Sequence, residues 1–347
     1  MSLVPRPENL TGPDPDAVPA EAGLTDAGVL QLPGRLALHH GGSLDHPALG
    51  WRLAGKPGAP VILALGGISA HRRVFDPDQP RAGWWSEIAG PARALDSARV
   101  RVLGIDWLGG SGESTGPTAG GVFPSLSSYD QADALRQLLD HLRIPALRAI
   151  VGASYGGMVA LAFAERYAER VQQLLVISAA DRAHPMATAW RSVQRRIVRF
   201  ALSTGHASEG MELARALAMA TYRSADEFAA RFAHQPRQLE GRFVFPVEEY
   251  LFARGRDYAA RYRAESFLCL SESIDLHAID ASRVATPTVV VAVREDQLVP
   301  IGDMRALAAR LPRARLHEIS SLHGHDAFLK EPAALQPLFE SLYGVPE

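Results

Sequence analysis

The chain has 347 residues, 36 basic and 38 acidic side chains for a formal net charge of −2, 47% apolar residues and 21% charged ones. This balance excludes a largely disordered chain, offers no basic excess for nucleic acid, and leaves ample length for a buried core. The single cysteine, Cys269, excludes an internal disulfide, and no Cys/His spacing suits structural zinc, which fits a cytosolic setting without a resident metal.

Residues 1–30 carry five prolines and no sustained periodicity, so they read as a flexible N-terminal arm without the basic-then-apolar pattern of a secretory signal. Strand-like runs follow at 35–39, 49–53, 61–65, 100–105, 147–151 and 174–178, then at 288–293 and 314–319. The later runs are short, apolar and continuous, as in strands covered on both faces. Helical patterns at 127–142, 155–167 and 301–311 alternate with them, which predicts a doubly wound, mostly parallel α/β sheet. Between 181 and 285 the alternation stops and helix follows helix. The expected organisation is therefore one α/β core, 31–180 with 286–347, and a helical lid inserted at 181–285 over the carboxyl ends of the strands, where open α/β sheets bind ligands. The longest uncharged stretch, 149–164, is too short and glycine-rich to cross a membrane.

The run Gly152-Ala153-Ser154-Tyr155-Gly156 follows a strand and opens a helix. That is the context of a nucleophile elbow, in which Ser154 sits on a strained turn and its two flanking glycines leave room for close packing. A serine hydroxyl needs a histidine to take its proton, and the histidine needs an orienting carboxylate. Around such an elbow the chain order is serine, acid, histidine. Glu295 and Asp296 both follow the strand at 288–293, and Pro300 favours Asp296 by turning the loop into the next helix. His323 and His325 both follow the last strand, and Gly324 favours His325 by permitting a close approach to the serine. The oxyanion hole calls for two backbone N–H groups. Tyr155 supplies the first, and Leu65 or Gly66 the second.

The elbow, the run Gly83-Trp84-Trp85 continuing to Gly90-Pro91, and the run Leu108-Gly109-Gly110 continuing to Ser114-Thr115-Gly116-Pro117 resemble the α/β-hydrolase-fold homoserine O-acyltransferases. So do Leu213-Ala214-Arg215, Thr221-Tyr222-Arg223-Ser224, Glu265-Ser266-Phe267-Leu268 and Gly324-His325-Asp326-Ala327-Phe328-Leu329, in the same order from about residue 36 onward. Trp107 departs from the family's usual asparagine. The resemblance implies a homodimeric enzyme of methionine biosynthesis with no cofactor and acyl-CoA as co-substrate, which passes an acyl group through serine to L-homoserine. By the same correspondence Arg215 takes the homoserine carboxylate and Asp326 its ammonium.

The acyl donor turns on the residues near the acyl tail. Leu298 is similar to the apolar residue of acetyl-using relatives, yet Arg72 and Arg73 lie a few residues beyond the oxyanion loop. A buried, unpaired arginine there would welcome a succinyl carboxylate and disfavour acetyl. The expectation is therefore a homoserine O-succinyltransferase, with homoserine O-acetyltransferase, serine O-acyltransferase and esterase or thioesterase as the alternatives.

Overall fold

The computed structural model describes residues 25–343. Eight strands form the central sheet: β1 Thr25–Gln31, β2 Ala48–Gly55, β3 Val61–Leu65, β4 Arg101–Ile105, β5 Ala149–Ala153, β6 Leu174–Ile177, β7 Thr288–Val293 and β8 Ala314–Ile319. Their order across the sheet is β1-β2-β4-β3-β5-β6-β7-β8, and β2 alone runs against both its neighbours. All pairings from β4 to β8 are parallel. Strands β5 and β6 are buried throughout, as expected for apolar runs covered on both sides.

Strand β1 corrects the expected N-terminal arm, because residues 25–30 belong to the sheet edge; the rest of that arm, 1–24, lies outside the described residues. The strand escaped pattern reading because most of it is exposed and Gly28 faces the Trp51 indole, leaving little apolar alternation. The run at 35–39 also differs: only Arg35–Ala37 is extended, paired with Ser43–Asp45 outside the main sheet.

Helices α1 Ser128–His141, α2 Tyr155–Arg166 and α8 Ile301–Arg310 contribute to the apolar cluster on one face of the sheet. The segment between β3 and β4, anchored by Trp85 and Ile88, joins the C-terminal helix Pro332–Glu340 on the other. Ser127 starts α1 with a reciprocal cap, accepting from Asp130 N–H while the Asp130 carboxylate accepts from Ser127 N–H at 2.7 Å.

Between β6 and β7 stand α3 Pro185–Ser203, α4 Ala207–Tyr222, α5 Ala225–Arg231, α6 Pro246–Ala259 and α7 Ala264–Asp275. A small hairpin, Arg237–Leu239 with Arg242–Val244, interrupts them where only helix was expected. Helices α3, α4, α6 and α7 share a separate apolar cluster of Val198, Met211, Ala214, Tyr258 and Phe267. On α3 the buried positions Ala187, Gln194, Arg195, Val198 and Ala201 fall on one stripe, so two polar residues occupy the face that packs inward. On α7, Cys269 is partly buried and lies so close to Gly109 that a Cβ there would sit 2.6 Å from its sulfur. Burial pushes the Cys269 thiol up to about 12. Among the described residues, no helix is long and apolar enough to cross a membrane.

Candidate active site

The site is built where β5 turns into α2. Ser154 occupies that turn with φ 55° and ψ −124°, a sparsely populated backbone conformation for a residue with a side chain. The chain tolerates it because its neighbours are minimal. A Cβ on Gly152 would lie 2.4 Å from the Gly156 carbonyl oxygen, and one on Gly156 would lie 2.4 Å from that of Leu65. Gly156 N–H also donates to the Gly66 carbonyl at 2.9 Å, tying the elbow to the end of β3. Gly156→Ala is therefore expected to lower unfolding stability by about 3 kcal/mol, the upper range for forcing an atom into a packed site. An unchanged urea midpoint would show that this packing is looser than described.

His325 arrives from beyond β8 on the short turn Gly324–Asp326. Gly324 has φ +52°, and a Cβ on it would meet the Tyr222 carbonyl oxygen at 2.7 Å, so the approach anticipated for this position does require glycine. His325 Nδ1 lies 2.7 Å from Asp296 Oδ2, and Nε2 lies 2.8 Å from Ser154 Oγ. The carboxylate can only accept, so Nδ1 carries the proton and Nε2 is left to accept from the serine hydroxyl. Asp296 Oδ1 accepts the backbone N–H groups of Leu298 at 2.8 Å and Val299 at 3.0 Å, which fixes the carboxylate. Burial by itself pulls the His325 pKa down. The charge and hydrogen bond of Asp296, with Asp326 added, outweigh it and leave the imidazole above its ordinary value.

The rival residues are engaged elsewhere. Glu295 accepts from Ser320 Oγ and from Ser321 N–H, and His323 Nδ1 lies 2.9 Å from an Arg223 nitrogen. A second serine–histidine contact, Ser128 Oγ to His277 Nδ1 at 2.7 Å, is sealed in the core, with the other ring nitrogen on the Ala180 carbonyl. Burial pulls the His277 pKa down to about 4, and neither residue reaches the cavity.

Ser154 and His325 open onto a cavity of about 180 Å³ bounded by Gly67–Ala70, Trp84, the inner sides of α3 and α4, Leu298 and Asp326. Tyr155, at the first turn of α2, is buried, and its hydroxyl bonds Ser273 Oγ at 2.7 Å. Trp107, set against the Tyr155 ring, donates its indole N–H to the Gly67 carbonyl at 3.1 Å, bracing the loop after β3. Arg215 lies on the cavity wall with its guanidinium over the rings of Tyr222 and Tyr258, 5.2 and 4.7 Å from their centroids. It has no carboxylate partner among the described residues. Asp326 is on the wall too, but its Oδ2 already accepts from Arg223 Nε at 3.0 Å, a pairing that sequence alone did not reveal. Oδ1 bonds to none of the described residues.

Arg72 and Arg73 require a correction, because neither lines the cavity that holds Ser154. The buried Asp106 carboxylate takes Arg72 N–H at 2.9 Å and lies 3.7 Å from Arg72 Nε, while Glu113 takes Nη1 at 2.5 Å. Arg73 turns to Asp76 at 3.6 Å. Both face an adjoining cavity of about 650 Å³ instead, and the expected unpaired arginine at the acyl tail is not one of them. The cations on the wall of the Ser154 cavity that sequence reading missed are Arg182 and Arg191. The available signal was the inward stripe of α3, on which Arg191 falls four residues after Ala187.

Residues 60–332 match the model of the alpha/beta hydrolase fold. The chain is 43% identical over 337 residues to a homoserine O-succinyltransferase of Xanthomonas campestris pv. campestris, covering 95% of this chain and 88% of that protein. It is 36% identical over 283 residues to a homoserine O-acetyltransferase of Thermus thermophilus, covering 75% and 72%. A crystal structure of homoserine O-acetyltransferase from Bacillus anthracis superposes with a TM-score of 0.83 over 94% of this chain and 98% of that one; at 16% identity it speaks for the fold alone. The chain belongs to the homoserine O-acyltransferase family of the α/β hydrolases.

Proposed function

We propose that the protein is an acyl-CoA:L-homoserine O-acyltransferase that takes succinyl from succinyl-CoA and works by ping-pong transfer through Ser154. The observation that carries this reading is the hydrogen-bonded series Ser154–His325–Asp296 opening onto a confined cavity whose wall holds an arginine without a carboxylate partner. In the first half-reaction His325 Nε2 takes the Ser154 proton and Oγ attacks the thioester carbonyl. The oxyanion is held by Tyr155 N–H and by the backbone at Leu65 or Gly66, with the α2 N-terminus adding its dipole. Collapse expels CoA, whose sulfur receives the proton from His325. In the second, His325 deprotonates the homoserine hydroxyl, which attacks the acyl-serine. The ester leaves and Ser154 recovers its proton.

Arg215 suits the homoserine carboxylate because its guanidinium, set over two tyrosine rings and bonded only through Nη1 to the Tyr222 hydroxyl at 3.4 Å, keeps donors that no carboxylate among the described residues takes up. The open Oδ1 of Asp326 suits the ammonium, with Arg223 fixing the other oxygen. The segment 181–285 then serves as the lid that keeps water from the acyl-enzyme. Homodimerisation, a cytosolic location, the absence of a cofactor and a place in methionine biosynthesis belong to the same reading. The likeness to the Xanthomonas enzyme favours succinyl as donor and homoserine as acceptor.

Intact-mass analysis after mixing with succinyl-CoA or acetyl-CoA tests the donor, and subsequent addition of L-homoserine or L-serine tests the acceptor. Succinyl loading, discharged by homoserine to its O-ester, is the expected result. Acetyl loading would move the assignment to the acetyltransferase. Discharge to free acid at a rate indifferent to homoserine would make the protein a thioesterase.

A further inference from the structure

Succinyl transfer to homoserine brings two carboxylates into one small cavity, one on the amino acid and one at the tail of the acyl group. Acetyl transfer brings one. Arg215 accounts for a single carboxylate, and the arginines that sequence reading offered for the second face elsewhere.

Helix α3 supplies another. Arg191 lies on the cavity wall with its side chain 12% exposed. Its Nε donates to Asp275 Oδ1 at 2.8 Å and its Nη2 approaches the same oxygen at 2.6 Å. That oxygen also accepts from Thr188 Oγ1 at 2.7 Å, while Asp275 Oδ2 takes Arg195 Nη1 at 2.6 Å. One carboxylate thus serves two guanidinium groups, and the cluster keeps one positive charge in excess. Arg195 spends its Nη1 further on the Ser271 carbonyl and hydroxyl. Arg191 Nη1 has no partner among the described residues, so the free donors and the surplus charge sit on the residue that borders the cavity. The charge of Arg191 is felt at His325, where it opposes protonation of the imidazole. Arg182, the third arginine of this wall beside Arg191 and Arg215, is two-thirds exposed and sits beside Asp181 at 3.2 Å, so its charge is met by solvent and by a carboxylate.

We infer that Arg191, held in place by Asp275 and Thr188, binds the terminal carboxylate of the acyl group and so selects a four-carbon dicarboxylyl donor over a neutral one. The inference rests on the succinyl reading above and names the residue that carries it. A guanidinium fixed along one edge and open on the other presents a preformed half of a bidentate pair. A neutral acyl tail would leave that edge desolvated and unanswered.

The test compares acyl loading from succinyl-CoA with loading from butyryl-CoA, which has the same chain length and a methyl group in place of the carboxylate. Loading is followed by intact mass on wild type and Arg191→Met, with fluorophosphonate labelling of Ser154 reporting an intact site. The expected result is a wild-type preference for succinyl that falls on the order of 100-fold in the variant, through loss of succinyl loading, while butyryl loading is kept or raised because the unanswered guanidinium is gone. If wild type prefers succinyl-CoA and Arg191→Met keeps that preference over butyryl-CoA, the donor assignment stands and the role of Arg191 is overturned. If wild type loads acetyl-CoA in preference to succinyl-CoA, the donor assignment falls and this role falls with it. Should Arg191→Met not fold, Arg191→Lys carries the test, since it keeps the charge and loses the fork. Its KM for succinyl-CoA is expected to rise roughly tenfold or more with butyryl-CoA unaffected, and an unmoved succinyl KM overturns the inference.

Discussion

Ser154→Ala is expected to abolish acyl loading and to reduce kcat on the order of 10⁶-fold, the scale on which serine enzymes respond to loss of the nucleophile. The thermal midpoint should hardly move, because alanine keeps the Cβ that already occupies this strained turn and only one hydrogen bond, to His325, is lost. Mass analysis of the variant mixed with acyl-CoA gives a direct reading. A variant that still accumulated an acyl adduct at a comparable rate would place the nucleophile elsewhere.

Asp296→Asn should be the second most damaging change, at about 10⁴-fold in kcat, and it should slow loading and transfer together. An amide beside Nδ1 permits the wrong tautomer and no longer supports a positive imidazole. The change also carries a pH signature. His325 must be neutral to act as a base, so activity falls on the acid side as its raised pKa is crossed. Without the carboxylate the burial effect is left less opposed, the His325 pKa drops, and the acid limb of the residual kcat profile should move to lower pH. A residual profile whose acid limb stays where it is in wild type would assign that limb to another group.

The parts of the fold and site that could be read in the sequence are those under local steric rule. Gly152 and Gly156 announce the elbow because no other residue fits against neighbouring backbone at those two points. Gly324 marks His325 for the same reason, and the apolar runs of β5, β6 and β7 mark strands covered on both faces. The choice between Asp296 and Glu295 was less local, since it depends on which carboxylate the turn directs inward. Charge partners were not legible at all. Arg72 looked available beside the oxyanion loop, yet Asp106 and Glu113, 34 and 41 positions away along the chain, claim it. Nothing in the sequence singled out Arg191; the packing of α3 on α7 sets it on the cavity wall with Asp275 at its side. Arginines are long, and tertiary partners rather than sequence neighbours decide where the head group goes. The edge strand β1 was missed for a different reason: an exposed edge needs no apolar alternation to pair with β2.

The placement of Cys269 gives the chemistry of this protein an internal label. Burial pushes its thiol up to about 12, which keeps it protonated at neutral pH, and its sulfur lies close against Gly109. Exchange of an acyl group from a CoA thioester onto a protein sulfur is thereby suppressed, and the sequence contains no other cysteine to receive it. An acyl mass shift acquired from acyl-CoA should consequently be an oxygen ester. After denaturation it should persist under neutral hydroxylamine or a brief excess of small thiol, either of which would strip a thioester, and fall away only with alkaline hydroxylamine. An acyl adduct on Ser154 would thus be distinguishable from the usual side product without any engineered change.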